Sequence, residues 1–125
     1  MSNQQLLIAL EHLIPAISDK ILSRYFQNTT AQRKADGSIV TEADLAMQQE
    51  ITRELLKITP QISMISEEMS AQQQLKVVTE CDSYWCLDPV DGTNNFHHGV
   101  PLFAVSLALI KNRELALGLV YDPIR

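Results

Sequence analysis

The chain has few of the residues that build special sites or special backbones: two cysteines, one tryptophan, four glycines and five prolines in 125 residues. Cys81 and Cys86 have four residues between them, which matches neither a zinc knuckle nor a redox pair. Two cysteines also make no disulfide framework. Cations are in short supply: ten Lys and Arg stand against fifteen Asp and Glu, a formal charge of −5. That balance excludes a phosphate-neutralising surface and therefore a nucleic-acid polymer as partner. The longest strongly apolar run, Gly99 to Ile110, falls short of the ~20 residues that a membrane helix needs. Met1-Ser-Asn-Gln-Gln-Leu6 lacks the basic flank of a secretory signal. The expectation is a cytoplasmic protein with no membrane association. At 46% hydrophobic and 20% charged, the composition is that of an ordinary folded domain.

Apolar residues at Leu6, Leu7, Leu10, Leu13, Ile14, Ile17, Ile21, Leu22, Tyr25 and Phe26 form a helical stripe, with Ser2 or Asn3 as cap. Pro15 is expected to kink that helix or to start a second one. A polar segment, Asn28 to Ser38, follows with a turn at Asp36-Gly37. Thr41-Glu-Ala-Asp44 opens another helix, which should bury Leu45, Ile51, Leu55 and Leu56 and end before Pro60. Ile62 to Ile65 reads as a strand running into Glu67-Glu68. Tyr84 to Asp88 reads as another strand, stopped by Pro89. Cys86 lies in it and reads as a small core residue. Phe103–Ile110 and Leu115–Tyr121 flank the polar loop Lys111–Glu114 as a hairpin. Helices followed by antiparallel-looking strands point to an α+β or layered α/β class.

The chemistry is concentrated in carboxylates. Asp88-Pro-Val-Asp91-Gly-Thr93 is rich in turn formers, and Glu67-Glu68 taken alone is an ordinary solvated pair. Together they bring up to four hard oxygen donors to strand ends. Such donors suit Mg²⁺, which takes oxygen ligands at about 2.0–2.1 Å and keeps several waters. Without a cation the same carboxylates would repel one another and raise each other's pKa. Thr93 to Phe96 can begin a short helix whose free N–H groups face an anion, and Gly92 lets a phosphate oxygen approach the backbone. Thr41 and Asp44 also have a structural reading, as a cap and a favourable first-turn acid.

Other chemistries fit less well. A cysteine-based phosphatase needs Arg six residues after its nucleophile, where this chain has Leu87 and Gly92. The EF-hand and Gly-x4-Gly-Lys patterns are absent. A haloacid-dehalogenase-like phosphatase carries Asp-x-Asp-Gly-Thr. Here the two Asp are three apart, which in a regular strand puts them on different faces. His97-His98 without a third ligand is weak as a zinc site and reads as solvent-exposed near the site mouth.

Three blocks, Asp36-Gly-Ser-Ile-Val-Thr-Glu-Ala-Asp44, Ile65-Ser-Glu-Glu68 and Trp85-Cys-Leu-Asp-Pro-Val-Asp-Gly-Thr-Asn-Asn-Phe96, together resemble the inositol monophosphatase family. The stretches Pro101–Leu109 and Gly118–Pro123 are similar as well. Ser66 departs from the pattern, the family usually having Gly before the Glu pair, and its expected effect is to stiffen the backbone.

The resemblance implies a layered α/β/α/β/α fold and a lithium-sensitive hydrolysis of a small phosphate monoester with two or three Mg²⁺ ions. It implies that Glu67, Asp88 and the Val90 carbonyl hold a first metal and that Asp88 and Asp91 share a second. Gly92 and Thr93, with Asp91, would bind the phosphate. Asp44 would hydrogen-bond the Thr93 hydroxyl, so that Glu67, Thr93 and Asp44 form the catalytic group. Lys34 would lie on a loop near the metals, with Glu68 in a less defined role. Family members continue into a Trp-Asp-x-Ala-Ala-Gly motif that this chain does not contain, so residues 1–125 are expected to be an amino-terminal portion of such a domain. A catalytically incomplete metal-binding fragment is the alternative expectation. A homodimer is a further one, since relatives are often dimers.

Overall fold

The computed structural model describes residues 2–25, 31–33, 39–92 and 103–123. Ser2 starts the first helix, α1 (Asn3–Tyr25): its hydroxyl accepts the Gln5 N–H at 3.1 Å, and Gln5 Oε1 accepts the Ser2 N–H at 2.8 Å. This reciprocal pair satisfies two donors that a helix start otherwise leaves open. Leu6, Leu10, Ile14 and Ile17 form the buried stripe. Pro15 lies inside the helix and starts no second one.

A short strand, β1 (Ala31–Arg33), lies inside the expected polar segment and pairs antiparallel with β2 (Ile39–Thr41), just beyond it. The Asp36-Gly37 turn between them is outside the described residues. Helix α2 (Glu42–Ile58) follows directly and buries Ala43, Asp44, Met47, Ile51 and Leu55. Leu45 and Leu56, expected on that face, are 52% and 57% exposed. Each is one residue from a buried position, which rotates it about 100° around the helix. The inner stripe runs through Asp44 and Met47 instead, so a polar residue occupies a position that hydrophobicity alone assigns to a leucine. The helix ends before Pro60, as expected. Thr59, 7% exposed, accepts the indole N–H of Trp85 at 2.9 Å and donates to the Leu55 carbonyl at 3.0 Å.

The main sheet has the order β3 (Ser63–Ser66), β4 (Tyr84–Asp91), β5 (Ala104–Lys111), β6 (Glu114–Tyr121). β3 and β4 are parallel, while the other neighbours are antiparallel. Parallel neighbours need a crossover, and α3 (Ala71–Glu80) supplies it. The periodicity signals neither this helix nor the parallel pairing, because α3 buries none of its residues and leaves Leu75 65% exposed. Its start is fixed instead by Ser70 and Gln73, each accepting the other's backbone N–H at 3.1 Å. The β5–β6 hairpin forms as expected, with a tighter loop: Asn112 and Arg113 both take positive φ, 52° and 65°, the requirement of a two-residue hairpin turn.

One sheet face, with Trp85, Leu87, Val105, Leu107, Leu109 and Leu117, packs beneath α1 and α2 as the core. Cys86, expected in the core, lies half-buried in the opposite phase of β4, and burial pushes its thiol pKa up. The architecture is a mixed four-stranded sheet with helices on it, an α+β arrangement. Among the described residues no helix is long and apolar enough to cross a membrane.

The two faces of α2 should respond differently to truncation. Ile51, fully buried, should lose about 2–5 kcal/mol of stability as Ile51→Ala. Leu56→Ala should stay within about 0.5 kcal/mol of wild type. Urea unfolding of both variants checks the assignment.

Candidate functional site

The carboxylates are arranged by an irregularity in β4. Asp88 pairs with Ser106 and Asp91 with Ala104, so β4 takes three steps where β5 takes two. One extra residue is a β-bulge, and Pro89 lies within it, where a missing N–H costs the ladder no bond. Pro89 and Val90 are both buried, which shifts the in–out alternation by one. Asp91 thereby returns to the less buried side that carries Asp88. Two expectations are corrected together: the strand is not stopped by Pro89, and the two aspartates do not leave on different faces. Gly92 follows with φ 96°, a left-handed conformation that favours glycine.

Glu67 lies in the turn that follows β3, one residue beyond Ser66. The parallel register pairs Ser66 with Leu87 and so brings Glu67 level with Asp88. The Glu67 side chain is exposed and that of Glu68 half-buried. Asp44 is 1% exposed in the first turn of α2. The position favours an acid electrostatically, and it faces inward rather than to solvent. Glu67, Gln74, Cys86, Asp88 and Ser106 line a cavity of about 280 Å³ that spans β3, β4 and β5. Thr93, Lys34, the Thr93–Phe96 helix start and His97-His98 are outside the described residues, as is the Thr41 side chain.

Asp88 records the crowding. Burial, and then the charges of Glu67, Asp91 and Asp44 in that order, push its carboxyl from 3.8 up to about 7, against the opposing effect of a hydrogen bond from the Val90 backbone. Like charges disfavour ionisation, so three acids, from β3's end, β4 and α2, all bear on Asp88. Among the described residues no three acidic, His or Cys side chains are already gathered as a set that could hold a metal ion. Mg²⁺ does not require such a cage, because it is usually held by one or two carboxylates while waters and substrate phosphate complete its shell. The donors are all hard oxygens, and their concentrated charge is what a divalent cation would offset. In donor type and charge the residues fit Mg²⁺.

Three polar residues that the sequence reading did not single out for the site hold the Glu67 turn: Ser66, Gln48 and Gln74. The sequence signal was Ser66 in a glycine's place. Its hydroxyl forms two hydrogen bonds, which goes beyond stiffening the chain.

A sequence profile of the inositol monophosphatase family matches residues 2–125. The inositol-1-monophosphatase of Mesorhizobium japonicum is 38% identical over 105 residues, covering 82% of this chain and 38% of that protein. The 3′(2′),5′-bisphosphate nucleotidase CysQ of Aggregatibacter actinomycetemcomitans is 37% identical over 100 residues, covering 80% and 37%. Among solved structures, the IMPase of Thermotoga maritima superposes with a TM-score of 0.81 at 31% identity, over 96% of this chain and 44% of that one. The chain spans about two-fifths of the length of the curated relatives it matches.

A raised carboxylate pKa has a definite sign in stability. Between pH 3.8 and about 7 the folded chain holds a proton at Asp88 that the unfolded chain has released. Without divalent cations, this residue's contribution to stability should therefore fall as pH rises through that window. Asp88→Asn should remove that component and leave the cation-free protein more stable near pH 8, by on the order of 1 kcal/mol after solvent screening of a half-exposed group. Denaturant unfolding across pH in a chelator, for both proteins, measures the difference.

Proposed function

This chain belongs to the inositol monophosphatase family, and on that premise we propose that it supplies the carboxylate site for Mg²⁺-dependent hydrolysis of a small phosphate monoester. The observation that carries the reading is the crowding of Glu67, Asp91 and Asp44 around Asp88. Like charges gathered on a half-buried carboxylate cost free energy that a cation, or a proton on Asp88, offsets.

Glu67, Asp88 and the Val90 carbonyl would hold one ion, and Asp88 and Asp91 a second, with two or three Mg²⁺ in all. When bound, Mg²⁺ polarises the phosphate ester and makes nearby water more acidic. Gly92 and Thr93 would receive the phosphate through backbone N–H groups, which offset charge building on its oxygens. The positive φ of Gly92, a conformation that favours glycine, supports such a turn. Asp44 would accept a hydrogen bond from the Thr93 hydroxyl and hold it oriented toward the attacking water. Glu67 would take the proton that this water releases. Neither thiol is needed as a nucleophile: as the bond from water to phosphorus forms, the phosphorus–ester oxygen bond breaks, the leaving oxygen takes a proton from solvent water, and phosphate is released.

Inositol monophosphate and related sugar or nucleotide phosphates form the substrate class, in keeping with a monophosphatase and a bisphosphate nucleotidase among the relatives. Inhibition by lithium, a cytoplasmic location and a homodimer belong to the same reading. The test is release of inorganic phosphate from inositol 1-phosphate by the full-length protein, with and without Mg²⁺. Turnover should require the ion, and Asp88→Asn should lower it more than about 100-fold, beyond the usual cost of losing an outer-shell partner. Undiminished turnover in that variant contradicts the assignment.

A further inference from the structure

Glu67 and Asp88 repel each other, and the ladder with β4 reaches only as far as Ser66, so the turn beyond it needs other ties. Ser66, 4% exposed, is where three elements meet. Its hydroxyl donates to Gln48 Oε1 on α2 at 2.8 Å and accepts the Glu68 N–H at 3.2 Å. Its carbonyl accepts the Met69 N–H at 3.1 Å and the side-chain amide of Gln74, on α3, at 2.6 Å. The same Gln74 amide reaches the Met69 carbonyl at 3.2 Å. Both ends of the four-residue turn are therefore tied, the first to α2 and the last to α3. Gln74 is itself placed by the first turn of α3, its N–H donating to the Ser70 carbonyl at 3.0 Å. Gln48 lies four residues after Asp44, on the same face of α2. One helix thus carries both an acid whose charge bears on Asp88 and the anchor for the turn that bears Glu67.

None of Ser66, Gln48 and Gln74 carries a charge, and none donates to the Glu67 carboxylate in the bonds described. Their bonds act on the backbone on both sides of it. We infer that Ser66, Gln48 and Gln74 are positioning residues that hold Glu67 toward Asp88 for a divalent cation, an inference that rests on reading these carboxylates as a cation site. The hydroxyl of Ser66 is the central element: glycine there keeps the carbonyl bonds but loses both the link to α2 and the tie to Glu68. Outer groups of this kind pre-set a ligand's geometry and lower the reorganisation required when the ion enters.

The test is Mn²⁺ titration by calorimetry on the full-length protein, at a temperature where every variant is folded, together with amide hydrogen exchange in chelator. Ser66→Gly and Gln74→Leu should each weaken Mn²⁺ binding about tenfold. Ser66→Gly should also speed exchange at Glu68, whose N–H loses its acceptor. Thr59→Val, which removes the bond to Trp85 at the opposite end of α2 from Asp44, should lower stability and leave Mn²⁺ affinity unchanged. Wild-type affinity in both Ser66→Gly and Gln74→Leu overturns the positioning role while leaving the cation site standing. An equal loss in Thr59→Val also overturns it, since the effect would then follow general stability. No Mn²⁺ binding by the wild-type protein overturns both readings at once.

Discussion

Mutual repulsion among carboxylates sets the terms for this structure. Asp88 is half-buried, and Glu67, Asp91 and Asp44 all raise its pKa. A chain folding for stability alone would let those charges separate into water. Here they are held together by elements whose own energetics are ordinary. The apolar faces of α1, α2 and the sheet supply the core, and the repulsion is a local cost against that background. A small divalent cation with hard oxygen ligands would relieve that cost without a proton on Asp88.

The scaffold imposes the convergence through three separate devices. The bulge at Pro89 brings two aspartates three residues apart back to one side of β4. The α3 crossover makes β3 parallel to β4, so that the end of β3 and the acidic end of β4 point the same way. The helix α2 lies against β4 with Asp44 turned inward, and the bonds through Thr59 and Trp85 fix its far end to the same strand. Strand ends that point in one direction are where open α/β sheets gather ligands. The turn bearing Glu67 is the least embedded part of the arrangement, and it is where the polar ties through Ser66 are concentrated.

Much of this was legible in the letters. The stripe of α1, its Ser2 cap, the β5–β6 hairpin and the family resemblance could all be read from residue type and spacing. What escaped depended on geometry that spacing does not encode. Period-two alternation puts Asp88 and Asp91 on opposite faces, and only a pairing partner reveals that β4 gains a residue there. The haloacid-dehalogenase alternative is therefore set aside by the family match, and not by the argument from faces. Leu45 and Leu56 were misplaced because the inner stripe of α2 admits an aspartate, which hydrophobicity counts against. Helix α3 escaped because it has no buried stripe at all. Its one sequence signal was the Ser70–Gln73 capping box. Ser66 was noticed as a departure, but its reach to Gln48, eighteen positions earlier, required tertiary structure.

On this reading, acids from the end of β3 and from β4 enclose a divalent cation. Anomalous diffraction from crystals of the full-length protein soaked in Mn²⁺ tests it most directly. A strong anomalous peak should appear in contact with carboxylate oxygens of Asp88, with Glu67 and Asp91 turned toward it. A clean map at that position, with the three side chains directed apart under saturating Mn²⁺, would contradict it.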